Sequence, residues 1–208
     1  YELLRSLVGS EMCIRDSIKA GEGDCFVAAG VETVSRYVHG MADGPHNPTF
    51  EEAEARTAKM AEGNEADWAP HDDLPDLYIA MGQTAENVAE YKQVSREAQD
   101  EFAARSQNLA EASLDSGYWE AEITPITLPD GTVVKDDDGI RRGTTAEKLS
   151  GLNPVFRPGG TVTAGNACPL NDGAAGVVVM SDSLAKELGL TPLARIVSSG
   201  VSGLNPEI

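Results

Sequence analysis

The sequence predicts an α/β fold interrupted by a long insertion, and three observations carry that prediction. First, CFVAAG from Cys25 is continuous in apolar, β-forming residues, follows a Gly-punctuated turn and ends at Gly30, and AAGVVVMS from Ala174 has the same character; both read as buried strands. Second, stretches of helical periodicity separate and follow the strand runs, and continuous apolar strands separated by helices indicate a parallel or mixed sheet covered on both faces. Third, the long stretch between the two strands has a different texture, which marks an inserted domain.

In chain order, residues 1–17 are set aside, because SLVGSEMCIRDS, from Ser6 to Ser17, resembles translated sequencing adapter and joins abruptly to IKAGEGD at Ile18. The alternative is a short amphipathic segment on Leu3, Leu4 and Leu7. After the first strand, residues 43–76 hold ten acidic residues against two basic ones, with Pro45, Pro48, Pro70 and Pro75 interrupting, so a solvated, loop-rich region surrounds one helix over residues 50–62. Thr84 is expected to cap a helix over residues 85–92, and Ser95 a second one to about residue 112, with Ala98, Phe102 and Leu109 on one apolar face. ITPITL from Ile123 and GTVVK from Gly131 alternate apolar and polar residues around PDG, a hairpin signal. Residues 161–172 are rich in small residues and contain Gly165. SLAKELGL beyond the second core strand is a helix with Gly189 as its C-cap, and LARIVSSGVSG from Leu193 opens one more strand.

Composition excludes several functions. The 208 residues suit one large domain or a domain with an insertion, and such a chain buries roughly 70 % of its unfolded surface. Sixteen Lys and Arg against 34 Asp and Glu give a net charge of −18, which repels phosphate backbones and anionic lipid, so neither nucleic acid nor a membrane surface is an expected partner. No apolar run approaches the ~20 residues of a membrane helix, and residues 1–17 lack the apolar centre of a signal peptide. Three cysteines, Cys13, Cys25 and Cys168, cannot all pair and show no CxxC spacing, which fits reduced thiols in the cytoplasm.

Motifs are also excluded. Gly21 and Gly23 do not complete GxGxxG, since Phe26 takes the third glycine position and the strand follows, and no GK[ST] is present. The run from Asp136 to Gly139 resembles a calcium loop, but Val134 and Thr145 occupy its first and twelfth ligand positions. His39, His46 and His71 stand in Gly- and Pro-rich surroundings without ligand spacing and are expected to be solvated, so no metal site is expected. With no initiating Met, and with Asn205-Pro206-Glu207-Ile208 directly after a strand-like run and a Gly turn, the chain reads as an internal fragment.

Five stretches in order then carry a resemblance: AGVETVSR (29–36), MGQTAENVAE (81–90), QDEFAARSQ (99–107), GTVTAGNACPLNDGAA (160–175) and LARIVSSGVSG (193–203). Over residues 18–208 the chain resembles the thiolases, the acetyl-CoA C-acyltransferases, and among them the bacterial degradative type of fatty acid β-oxidation. The resemblance implies an αβαβα fold of two related halves, with a loop domain inserted in the first. It assigns residues 18–35 to the first part of the N-terminal half and 36–172 to the loop domain. Residues 173–192 would be the last strand and helix of that half, and 193–208 the start of the C-terminal half. Dimers or tetramers are implied, with part of the acidic region matching a tetramer-holding loop.

The implied reaction cleaves 3-ketoacyl-CoA with CoA, or condenses acetyl-CoA, through a cysteine thioester. It needs a thiolate activated by a helix N-terminus and a histidine, a second cysteine as acid/base, and oxyanion holes. The family's nucleophile matches Leu4, and its GHP histidine and second cysteine fall beyond Ile208, so no catalytic residue is assigned in this chain and the fragment is expected to be inactive. Cys13 lies in no matching context, and Cys25 reads as an ordinary buried thiol.

What remains is coenzyme A recognition, with CoA or acyl-CoA as substrate and no permanently bound cofactor. A pantetheine arm needs a narrow slot lined by small residues, and the nucleotide phosphates need a cation. By match to the family, Ala164 and Cys168 would line the arm, Arg141 would approach the phosphates, and Phe156 and Met81 would stand around the adenine and the acyl tunnel. Cys168 replaces a frequent serine, and Ala80 stands where short-chain biosynthetic members often carry His. Alternatively, Arg141 neutralises Asp136 to Asp138 and Phe156 is plain core. The rival implied function is a thiolase-like acyl-CoA or lipid carrier without turnover.

Overall fold

The computed structural model describes residues 7–34, 45–63 and 68–208, with side chains of the first stretch from Cys13 onward. Leu3, Leu4, His39 and part of the acidic stretch lie outside the described residues. The chain divides into two compact units, one from Tyr1–Asp43 with Leu170–Leu204, the other from Gly44–Pro169 with Asn205–Ile208.

In the first unit, helix α1 (Leu7–Ala20) lies against strands β1 (Cys25–Glu32) and β4 (Gly173–Met180). The strands pair antiparallel in the register Cys25↔Met180 through Glu32↔Gly173, and the N–H of Ser181 adds a rung to the carbonyl of Asp24 at 2.9 Å. Both runs expected as strands are strands, and their pair is the antiparallel element that a mixed sheet allows; no parallel pair forms among the described residues. Their expected burial is not met. Ala28 is fully buried, whereas Val27, Val31 and Val178 are exposed, because a two-stranded ribbon in this unit lacks the layers that would cover both faces. Cys25, expected inside a buried strand, is exposed with it.

Helix α6 (Asp182–Glu187) is capped by the Ser181 hydroxyl, which accepts from the Leu184 N–H at 3.2 Å. Gly189 ends it in the left-handed region at φ +67°, as its expected capping role requires. The strand expected from Leu193 is absent. Leu193, Val197, Val201 and Leu204 are exposed, and an extended run becomes a strand only when a neighbouring edge accepts its hydrogen bonds.

The second unit holds helices α2 (Glu51–Ala61), α3 (Met81–Tyr91), α4 (Arg96–Asp115) and α5 (Ala146–Ser150), and the hairpin β2 (Ile126–Thr127) with β3 (Val133–Val134). Ser95 caps α4 as expected, its hydroxyl accepting from the Ala98 N–H. The PDG turn closes the hairpin through Gly131 N–H to the Leu128 carbonyl at 2.9 Å, with Gly131 at φ +88°.

Two helix expectations fail here. α3 begins at Met81 rather than at residue 85, and Thr84 does not cap it; its hydroxyl instead donates to the Pro206 carbonyl at 3.1 Å. The face of α4 carrying Ala98, Phe102 and Leu109 points outward, with Phe102 68 % and Leu109 54 % exposed, while Asp100 and Ala104 are buried. Polar partners from distant segments, Asn166 on Asp100 and the Leu149 carbonyl on Arg96, draw the opposite face inward. The acidic stretch is likewise not uniformly solvated, since Asp76 is buried and accepts from the Tyr78 N–H at 2.9 Å. No helix among the described residues is long and apolar enough to cross a membrane.

Candidate functional site

α3 carries Gln83, Glu86, Asn87 and Glu90 at i, i+3, i+4 and i+7, one continuous stripe. Such a stripe ordinarily faces water, yet Gln83, Glu86 and Asn87 are buried, so each needs partners. Arg157, itself buried, supplies several: its Nη2 donates to Gln83 Oε1 at 2.9 Å and to Asn87 Oδ1 at 2.7 Å, and its Nη1 to Glu90 Oε2 at 3.0 Å. The Gln83 amide in turn donates to the Phe156 carbonyl. The Phe156 ring lies directly over Gly82, where any Cβ would fall inside it. Met81, one residue earlier, is exposed.

Just downstream, the turn Thr163–Ala167 is pinned from beneath. Glu86 accepts from the Thr161 N–H at 2.9 Å, the Thr161 hydroxyl at 3.0 Å and the Val162 N–H at 2.8 Å. Asn166 bridges the buried Asp100, at 3.0 Å, and the Thr161 carbonyl, while its own carbonyl oxygen accepts from the Thr163 N–H at 2.7 Å. Asp100 is held in turn by Arg96 Nε at 2.8 Å. Gly165 faces Leu149 and Leu152, and a Cβ there would meet the Leu149 side chain at 2.6 Å. The result is a rigid shelf whose outer side presents Ala164 and Cys168, both exposed.

Of the five residues selected from sequence, Phe156 packs against Gly82, next in the chain to the exposed Met81, while Ala164 is exposed on the turn and Cys168 is exposed one residue past it. Arg141 is exposed on a loop, where its N–H donates to Gln107 Oε1 at 2.8 Å and its Nη1 to the Asp138 carbonyl at 2.6 Å. Its neighbour Arg142, at an exposed site, pairs with Asp115 and Glu111; the guanidinium holds the Asp115 carboxyl below the ordinary carboxylate range.

A second buried cluster centres on Glu207. Its carboxylate, 2 % exposed, receives Trp68 Nε1, His71 Nε2 and the Asp76 N–H, each at 2.8 Å, and Arg56 Nη2 at 3.2 Å. Burial alone would push the Glu207 carboxyl up, but these hydrogen bonds, Trp68 foremost, outweigh it and hold it below the ordinary range. Asn87 Nδ2 grips the Glu207 carbonyl at 2.9 Å, so α3 holds both residues 156–162 and residues 206–207, with Asn87 reaching each. The expectation of solvated histidines fails at both described positions. His71 is partly buried against Glu207, and His46 lies 2.6 Å from Glu54 while stacking on Tyr78 at 3.9 Å.

Sequence reasoning missed Glu86, Asn87, Asp100, Arg157 and Glu207. The one local signal was the unbroken polar stripe of α3 beside Gly82 and ahead of the small-residue stretch. No group of three or more acidic, His or Cys side chains among the described residues could hold a metal ion. The thiols of Cys13, Cys25 and Cys168 are free, and none bonds a histidine among the described residues.

Comparison with known proteins bears on the whole arrangement. Residues 10–183 match the family model for the thiolase N-terminal domain. An acetyl-CoA acetyltransferase of Cupriavidus necator is 43 % identical over 206 residues, an alignment that takes in 95 % of this chain and 49 % of that protein. A probable acetyl-CoA acyltransferase of Staphylococcus aureus is 39 % identical over 198 residues, covering 92 % and 48 %. The crystal structure of the dimeric peroxisomal thiolase of Saccharomyces cerevisiae superposes with a TM-score of 0.77 at 36 % identity, over 97 % of this chain and 48 % of that one. The acetyl-CoA acetyltransferase of Bacillus anthracis does so at 0.70 and 37 %, over 95 % and 48 %. The chain thus spans about half the length of the curated relatives it matches. With a domain model across most of the sequence and structures of the same fold aligned over nearly all of it, the chain belongs to the thiolase family.

Proposed function

We propose that this chain provides the coenzyme A–binding part of an acyl-CoA:acetyl-CoA acyltransferase, which cleaves 3-ketoacyl-CoA with CoA or condenses acetyl-CoA through a cysteine thioester. Residues 36–172 act as its loop domain, and Met81, Arg141, Phe156, Ala164 and Cys168 contribute to CoA recognition. The nucleophile, the histidine and the second cysteine come from outside the described residues. The enzyme works in the cytoplasm in fatty acid β-oxidation as a homodimer or homotetramer.

The observation that carries this reading is the shelf at Thr163–Ala167. It offers the small exposed side chain of Ala164 and, one residue past the turn, the exposed thiol of Cys168, which suits a thin arm, while its inner side is fixed by buried carboxylates. Ala164 is exposed, so Ala164→Trp fits without disturbing the core and obstructs this surface. Calorimetric titration of the full-length protein with CoA tests this. Binding lost in the variant at unchanged melting temperature supports the reading, and undiminished binding refutes it. Arg141 contributes to the nucleotide end as an exposed cation, with correspondingly modest energy.

A further inference from the structure

The carboxylate of Glu86 is 1 % exposed and takes its hydrogen bonds from one short segment, the N–H and hydroxyl of Thr161 and the N–H of Val162. The nearby Arg157 guanidinium is directed to Gln83, Asn87 and Glu90 instead. The Glu86 side chain is therefore satisfied by N–H and hydroxyl groups of the loop, which meet it in this backbone conformation. Gly160 presses so close that a Cβ would lie 2.8 Å from the Glu86 carboxyl carbon, so the loop has no slack on that side. Two residues past this grip, the chain emerges at Ala164. The far end of the turn has its own anchor in Asn166 and Asp100.

From this we infer that Glu86 is a positioning residue for the pantetheine arm: its two carboxyl oxygens set the height and tilt at which Ala164 and Cys168 meet the ligand. The inference rests on the reading of the Thr163–Ala167 turn as the pantetheine-facing surface. Glutamine substitutes poorly, because its oxygen can keep the Thr161 and Val162 N–H groups only as a neutral acceptor, while its NH2 takes the place of the oxygen that accepts from the Thr161 hydroxyl, whose proton then has no acceptor there. The Asp100 anchor keeps the turn folded but no longer in place.

The test compares two probes on the full-length protein: CoA, which carries the arm, and adenosine 3′,5′-bisphosphate, which carries only the nucleotide end. Glu86→Gln is expected to raise the Kd for CoA about tenfold, equivalent to ~1.4 kcal/mol, and to change that of the bisphosphate less than about twofold. Thr161→Val removes one donor and keeps the backbone N–H; it is expected to raise the CoA Kd about threefold, and it decides the question if Glu86→Gln does not fold. A folded variant with unchanged CoA affinity overturns the inference, as does an equal loss for both probes, which would mark a general structural role. If the unmutated protein binds the bisphosphate but gains nothing from the arm, the reading of the turn itself fails and the inference with it.

Discussion

Replacing Glu207 by alanine probes how strongly the second unit is held together by buried polar contacts. The change strips the acceptor from Trp68 Nε1 and the Asp76 N–H, both buried, and leaves Arg56 and His71 facing a void. Each hydrogen bond to a charged group is worth roughly 1.5–3 kcal/mol, but the losses are not additive, and breaking one side of a buried charged cluster costs about 3–5 kcal/mol. That is a large share of a typical domain's stability. Urea unfolding followed by tryptophan fluorescence reads it directly, because Trp68 donates to the mutated group. A loss below ~1 kcal/mol would refute the assignment of Glu207 as the anchor of Asn205–Ile208. The same residue sets a pH dependence. A carboxyl whose folded pKa lies below its unfolded value stabilises the fold above the ordinary range, roughly pH 4.3, and loses that contribution as pH falls through the lowered value. Glu207→Gln should therefore flatten the acid limb of the stability profile of the second unit.

Three further outcomes follow from the geometry. Gly82→Ala drives a Cβ into the Phe156 ring and should cost about 1–3 kcal/mol in thermal unfolding. Arg141→Ala, at an exposed loop, should raise the KM for CoA roughly two- to fivefold with kcat nearly unchanged in steady-state kinetics, since a remote phosphate contact binds ground and transition states alike. Cys168→Ser should leave the melting temperature unaltered, because the thiol is already exposed, and CoA titration should show affinity held or improved by under about 1.5 kcal/mol.

The elements that were legible in the sequence are those whose signal is local. CFVAAG and AAGVVVMS announce strands by composition, PDG announces its hairpin, and Ser95 and Gly189 bound their helices by backbone chemistry. What depends on a distant partner was not legible. The stripe of Gln83, Glu86 and Asn87 looks like a wet face until Arg157 and Thr161, 70 to 75 residues away, turn it inward. Phe102 and Leu109 look like a core face, yet the buried side of α4 follows Asp100 and its contact with Asn166. His71 looks solvated because Glu207, its partner, lies 136 residues on. The shelf itself was found through Ala164 and Cys168, but the carboxylates that hold it were not.

The most direct test of the account is whether the pantetheine arm covers Cys168. The exposed thiol should react readily with iodoacetamide in the full-length protein, and peptide mass spectrometry reports its rate residue by residue. Desulfo-CoA, which retains the arm but no competing thiol, at ten times its Kd should slow alkylation of Cys168 roughly tenfold and leave exposed Cys25 unaffected. An unchanged rate at Cys168 under saturating ligand would contradict the placement of coenzyme A on this turn.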